Sequence, residues 1–306
     1  PRPHPALMAS PPRHLVPTPR AHASLRRVAL LDGPEAGLEA LALSTGGGLD
    51  AWLLPGRTLD IGPLWWRGRQ LAWMPPGGLL HPAFRRAEEE AGRGFERLFG
   101  GFLVTCGLSH IRAPEGGEPL HGRLPFTPAR LTLARDDRVL EAEAECWETR
   151  INGPSFRLRR RIEAEPGGGA LRLTDEVENF GPEPAPHAML YHVNLGWPLL
   201  APGTLVWCGA DLLGALDPGR PGPRAPAICR AAPSGEARVT SPEGVALTLR
   251  WDAAAMPFLQ TWHDLRPRVA VLSLEPCTTD LGAPAPLLAP GERRSYALEI
   301  MPEDAR

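Results

Sequence analysis

The feature that most constrains this chain is an alternation of apolar and charged residues with period two, repeated in short bursts between turn residues. Leu140, Ala142, Ala144 and Cys146 alternate with Glu141, Glu143, Glu145 and Trp147. Phe156, Leu158, Arg160 and Ile162 alternate with Arg157, Arg159, Arg161 and Glu163, and Leu171, Leu173 and Val177 follow the Gly167-Gly168-Gly169 turn. Successive side chains of a strand point to opposite faces, so each burst buries one face and wets the other. The pattern returns at Val245, Leu247, Leu249 and Trp251, at Val269 and Val271, and at Tyr296, Leu298 and Ile300. Such bursts joined by short turns predict an all-β, mainly antiparallel architecture. Helix is a minority element: Pro82 to about Phe99 can form one or two short turns. The stretch from Leu200 to Pro233, dense in Gly, Pro and Asp, reads as a long loop with one short strand near Leu205-Val206-Trp207.

Residues 1–24 are rich in Pro, Arg, Ala and His without hydrophobic period and read as a flexible tail. Residues 25–306 then form one β-sandwich domain. With 43% hydrophobic residues the chain can fill a core, and 33 basic against 35 acidic residues leave a net charge of −2. That balance gives no electrostatic reason to expect nucleic acid or an anionic membrane as partner. All the basic residues are Arg and none is Lys, the mark of a coding bias rather than of phosphate binding. The five cysteines are odd in number, far apart and never in a Cys-x-x-Cys pair, so neither a disulfide framework nor a zinc ribbon is indicated. The chain lacks an 18-residue apolar run and the residue order of a signal peptide, which makes a soluble cytoplasmic protein the default expectation. An exposed sheet edge would allow a homodimer.

Three places set polar residues in apolar surroundings: Leu120-His121-Gly122-Arg123, Met189 to Trp197 around His192 and Asn194, and Val271 to Pro276 around Glu275. His192 and Asn194, two apart, share one face of a strand. A carboxylate ending a buried strand must be paired, hydrogen-bonded or pushed toward its neutral form. Taken alone, Glu275 is explained by a strand end reaching solvent or an arginine, and each histidine by a backbone carbonyl. Together they also fit a general base with a nearby proton donor. A metal site usually includes a close ligand pair; Cys106 and His110 have helical spacing, but Gly107 and the β context argue against a helix. No dinucleotide fingerprint, phosphate loop or serine elbow is present, so neither metal nor cofactor is expected. Of nine tryptophans, Trp197 and Trp262 lie closest to these polar residues. Indole faces can stack on sugar rings, but they also fill sandwich cores.

In order and spacing these motifs resemble the galactose mutarotase (aldose 1-epimerase) superfamily, and within it an uncharacterised bacterial branch. The hallmarks are Asp60-Ile61-Gly62, Trp65-Trp66-Arg67-Gly68, Leu71-Ala72-Trp73, Phe99-Gly100-Gly101, Thr105 to Leu108, Leu120-His121-Gly122-Arg123, Tyr191-His192-Val193-Asn194 and Leu274-Glu275-Pro276. The resemblance runs from about Val28 to Ile300 and implies a β-supersandwich with an open sugar-binding cleft. It also implies roles: Glu275 as base, His192 as acid, and His121 and Arg97 holding the ring oxygen and hydroxyls. Asn194 belongs to the second histidine motif, Gln260 corresponds to a sugar-binding glutamine, and Trp262 lies beside it. The sugar-binding aspartate has only Asp252 and Asp264 as candidates. Arg123 replaces a family glycine and offers a guanidinium for a carboxylate or phosphate.

The implied activity is interconversion of the α and β anomers of a free sugar, a small-molecule substrate, without cofactor. Two other classes stay open: a non-catalytic sugar-binding protein, and a sugar-phosphate or sugar-acid epimerase or isomerase on the same fold.

Overall fold

A computed structural model of the protein describes residues 15–305, apart from 221, 223 and 281. Five strands, β1 (Ser24–Ala29), β2 (Glu39–Ser44), β3 (Leu49–Leu54), β4 (Asp60–Trp66) and β5 (Arg69–Gln70), form a first sheet in chain order. After β6 (Leu103–Leu108) come β7 (Arg130–Asp136), β8 (Leu140–Thr149), β9 (Ser155–Ala164) and β10 (Leu171–Asn179). Then follow β11 (Ala185–Pro186), β12 (Ala188–Leu195), β13 (Thr204–Cys208), β14 (Asp211–Leu216), β15 (Ile228–Ala231), β16 (Glu236–Ser241) and β17 (Val245–Trp251). The last strands are β18 (Phe258–Asp264), β19 (Val271–Cys277), β20 (Leu287–Leu288) and β21 (Arg293–Asp304). The large sheet has the order β14-β13-β16-β17-β21-β10-β9-β8-β7, and a third sheet the order β15-β18-β19-β12-β6. β11 and β20 form a fourth, two-stranded sheet, and neighbouring strands pair antiparallel in all four.

The alternation seen in the sequence is the alternation of burial. Leu140, Ala142, Ala144 and Cys146 on β8 and Phe156, Leu158 and Ile162 on β9 are buried in the main core, with Leu173, Val177, Leu298 and Ile300 beside them. Each fully buried aliphatic side chain contributes about 1.5–3 kcal/mol. The opposite face of this sheet is a ladder of ion pairs: Glu145 and Glu176 flank Arg159, and Glu178 meets Arg157. The more exposed of these pairs, those of Arg159, contribute about 0–1 kcal/mol each, so they set register more than stability.

The 200–233 segment holds β13, β14 and β15 rather than a single short strand. β14 and β15 are edge strands of two different sheets, largely exposed or half-buried. Edge strands with little to bury carry no apolar alternation, which hides them in the sequence. Of the expected tail, residues 1–14 lie outside the described residues. Residues 15–24 include a single turn at Pro19–Ala21, a buried Ala23 and an ion pair from Arg20 to Asp136 at 2.9 Å. Among the described residues no helix is long and apolar enough to cross a membrane. No disulfide joins any of the five cysteines.

Candidate active site

The third sheet carries the site because it is covered on both faces. β6, β12 and β19 are buried along their whole length. Their near-continuous apolar text is that of strands with no wet side. One face joins the main core through Tyr191, Val193 and Leu274. The other meets a smaller cluster of Phe95, Val104, Cys106, Leu190 and Cys277. Register then aligns the polar residues. Gln260 pairs with Glu275. Val193 pairs with Leu274 and Asn194 with Ser273, which sets His192 opposite Glu275. One row across β18, β19 and β12 thus holds Gln260, Glu275 and His192.

Glu275 is fully buried and accepts hydrogen bonds from the Gln260 amide and the Ser273 hydroxyl. His192, 3% exposed, brings Nε2 within 3.3 Å of Glu275 Oε1. Burial raises the Glu275 carboxyl above its ordinary value, against the donors around it, and burial pulls His192 down to about 4. The tautomer follows from Asn194. Its amide nitrogen donates to the carbonyls of Phe99 (3.0 Å) and Gly101 (3.3 Å), so its oxygen faces His192 Nδ1 at 2.6 Å. Nδ1 must therefore carry a hydrogen, which leaves Nε2 facing Glu275 Oε1 as the nitrogen that can exchange a proton with the carboxyl. The pair is an imidazole and a carboxyl in contact, held from both sides.

The Phe99–Gly101 segment is itself anchored. Arg57 donates to the carbonyls of Leu98 (3.2 Å), Gly100 (2.7 Å) and Leu103 (3.3 Å), so alternate carbonyls of this loop go to Arg57 and to Asn194. Arg57 in turn faces Asp60 at 3.8 Å. Asp60 accepts from Arg160 (2.6 Å) and from Thr105, and Arg160 also donates to both oxygens of Asp175, which holds the Tyr191 hydroxyl. Two arginines and two aspartates, all buried, thus tie β4, β9 and β10 to the back of the site. The sequence reading assigned no role to Arg57, Arg160 or Asp175. The available signal was Arg160 standing among Phe156, Leu158 and Ile162, and Asp175 between Leu173 and Val177, on faces otherwise apolar.

His121 is half-buried, with Nδ1 2.9 Å from the Ile111 carbonyl and its ring centroid 5.4 Å from that of His192. Burial, and then the neighbouring His192, lower it to about 4. Its backbone is left-handed at φ 61°, a conformation costing an L-residue about 1–2 kcal/mol. The following Gly122, at φ 77°, has no room for a side chain, since a Cβ would lie 2.1 Å from the Gly107 carbonyl oxygen. This explains the glycine after the histidine in the motif. Gly122→Ala is expected to destabilise the fold by about 2 kcal/mol or more. A thermal melt superimposable on wild type would contradict this contact.

Arg97 and Arg123 are not brought to the carboxylate. Arg97 projects from the four-residue helix Phe95–Leu98, half-exposed and 3.3 Å from Glu90. That helix turns Phe95 and Leu98 inward, leaving its arginine outside. Arg123 is engaged by Glu88 at 3.2 Å, by Glu118 and by the Gly117 carbonyl at 2.9 Å, so its donors serve the loop instead of an anion. Trp262 stands on the site face of β18, two residues from Gln260, with its ring centroid 5.7 Å from that of Phe99. Asp264, also on β18, is bound by Arg266 at 2.6 Å, and Asp252 lies in the turn before β18, accepting from the Ala254 amide. Trp197, beyond the end of β12, is exposed.

An open cleft is not what covers the pair. Phe99 lies edge-on to His192 (5.1 Å), to Trp73 (5.4 Å) and to Trp262 (5.7 Å), and Phe95 packs against His121 at 4.6 Å. These rings close over the row because the short helix turns Phe95 inward and Phe99 follows directly at its C-terminal end. Elsewhere, a shallow groove of about 700 Å³ crosses the exposed face of the large sheet, walled by the ion-paired Glu145, Arg159 and Glu176. Among the described residues no group of three or more His, Cys, Asp or Glu side chains is arranged to hold a metal ion.

Solved structures share this architecture. A candidate aldose 1-epimerase from Klebsiella pneumoniae superposes with a TM-score of 0.82 over 92% of this chain and 84% of its own, at 19% identity. A galactose mutarotase-like protein from Clostridium acetobutylicum gives 0.66 at 13% identity, covering 93% of this chain and 99% of its own. A galactose 1-epimerase from Lactobacillus acidophilus gives 0.59 at 12% identity, covering 93% and 100%. The fold is therefore that of the galactose mutarotase-like β-sandwiches. By sequence, residues 35–219 match the family described as a domain of unknown function, DUF4432, and the chain belongs to that family. No curated protein matches the sequence.

Proposed function

We propose that this protein is an aldose 1-epimerase, interconverting the α and β anomers of a free sugar with Glu275 and His192 as its acid–base pair. The observation that carries the reading is the Glu275–His192 contact at 3.3 Å between groups fixed by Gln260, Ser273 and Asn194. In its reactive form the pair is a carboxylate beside an imidazolium. Glu275 takes the proton of the C1 hydroxyl while His192 Nε2–H protonates the ring oxygen, and the C1–O5 bond breaks to give the open-chain aldehyde. Rotation about C1–C2 and return of both protons close the ring as the other anomer. The fold relatives named as epimerases support this reading at the level of the fold.

A sugar reaches the pair only if Phe99 and its neighbours swing aside. Closing them again would exclude water and strengthen the electrostatics of the pair. His121, whose neutral ring is fixed by Ile111, has Nε2 left to bind a sugar hydroxyl.

The test is NMR exchange spectroscopy on α and β anomers of a panel of aldoses, with and without the protein. Acceleration is the expected result; no acceleration on any aldose would overturn the reading. A pH dependence is also expected. The active pair holds one proton, and a second would enter at His192, which burial holds at about 4. The exchange rate should therefore be retained through pH 5 and fall as the pH drops through about 4, because the doubly protonated pair has no base. A kcat profile declining already near the ordinary imidazole value of about 6.5 would contradict this burial effect.

A further inference from the structure

Most arginines in the segments around the sheet that holds Glu275 are engaged. Arg97 meets Glu90, Arg123 meets Glu88 and Glu118, and Arg266 closes on Asp264. Arg224 differs. It lies in the loop between β14 and β15, exposed, with its guanidinium carbon 5.9 Å from the centroid of the Trp262 ring. Beyond that ring, it has no hydrogen-bond or ion-pair partner among the described residues. Stacking on an indole face restrains a guanidinium while leaving its N–H edges free.

The place of Trp262 gives this cation its meaning. Trp262 and Gln260 share one face of β18, and Gln260 donates to Glu275. Two residues along a strand span about 7 Å, comparable to a pyranose ring with its exocyclic carbon. A sugar with C1 at Glu275 and its far end toward Trp262 would bring its exocyclic substituent to Arg224. Asp264, held below its ordinary value first by Arg266 and to a lesser degree by Arg224, makes its ion pair with Arg266 at 2.6 Å, so Arg224 has an acidic neighbour but no carboxylate in ion-pair contact among the described residues. We propose that Arg224 binds an anionic group at the end of the sugar remote from C1, so that the substrate is an acidic aldose, its fork receiving a carboxylate or phosphate oxygen pair. The inference rests on the assignment of Glu275 and His192 to C1, and it moves anion recognition from Arg123, where the sequence suggested it, to a residue the motifs did not mark.

The experiment compares glucose, glucuronate and glucose 6-phosphate as substrates for anomer exchange, with wild type and Arg224→Met. The variant keeps the length of the stem, and the exposure of the residue makes a folding defect unexpected. Wild type should act faster on at least one acidic sugar than on glucose, and which one separates carboxylate from phosphate. In Arg224→Met the ratio of kcat/KM for that acidic sugar to that for glucose should fall about 10- to 100-fold, mainly through KM, as for a lost charge-assisted contact. An unchanged ratio, or a wild type that prefers glucose to both acidic sugars, overturns the proposal. If no sugar shows accelerated exchange, the epimerase reading fails. Chemical-shift titration with the two acidic sugars then still decides: binding lost in Arg224→Met upholds the anion site, and equal or absent binding removes it.

Discussion

Glu275→Gln is expected to lower kcat for anomer exchange by about 10²- to 10⁴-fold, the range for removing a general base. The substitution changes little in volume, so the row across β18, β19 and β12 should stay packed. What changes is the proton inventory. An amide has no basic oxygen for the C1 hydroxyl proton, and it cannot hand a proton to His192 Nε2, which now lies 3.3 Å from the carboxylate. Gln260 would face an amide in place of the carboxylate it now donates to, a local cost that the neighbouring Ser273 hydroxyl can partly relieve by reorienting. Sugar binding should survive, because no positive charge on the substrate depends on Glu275. The measurement is the exchange rate at saturating sugar together with a binding titration. A variant with near-normal exchange would remove Glu275 from the chemistry.

The second large effect is on stability. Arg160→Met is expected to cost about 3–5 kcal/mol, read as a lower denaturation midpoint with unchanged slope. Arg160 is fully buried and donates to Asp60, to both oxygens of Asp175, to the Thr105 hydroxyl and to the Thr58 carbonyl. Its removal leaves Asp60 and Asp175 buried with only Arg57, at 3.8 Å from Asp60, to offset two negative charges. Desolvated carboxylates without partners cost far more than their ion pair contributes when intact. Loss of the set should also reach the site, since Asp60 faces the Arg57 that holds the carbonyls of Leu98, Gly100 and Leu103. A variant as stable as wild type would mean that water or a shifted Arg57 replaces the lost donors.

The site was partly legible in the sequence for a chemical reason. Glu275, His192 and Asn194 interrupt apolar strands, and polar groups there require partners, so their positions announce a cluster before any partner is known. His121-Gly122 was legible through its glycine, whose Cβ has no space beside Gly107. Arg97 and Arg123 misled because an arginine near a motif looks alike whether its fork faces a sugar or a glutamate. Here Glu90, Glu88 and Glu118 decide it, acidic partners that sequence spacing did not single out. The Arg160–Asp175 pair was visible as a break in two alternating faces, yet its meaning needed the register that sets the two residues opposite each other on β9 and β10.

The sequence by itself determined the all-β architecture, since period-two alternation permits only one face of each strand to be buried and no helix can satisfy it. It also determined which face of β8, β9, β10 and β21 would turn inward. Only the tertiary structure decided the rest. It placed His192 opposite Glu275 from strands some eighty residues apart, closed Phe95 and Phe99 over them, and spent Arg123 on the loop while leaving Arg224 on Trp262. Alternation is a local property, fixed by where one residue points. Proton sharing, cover and charge pairing are properties of neighbours that the chain brings together only when its sheets pack.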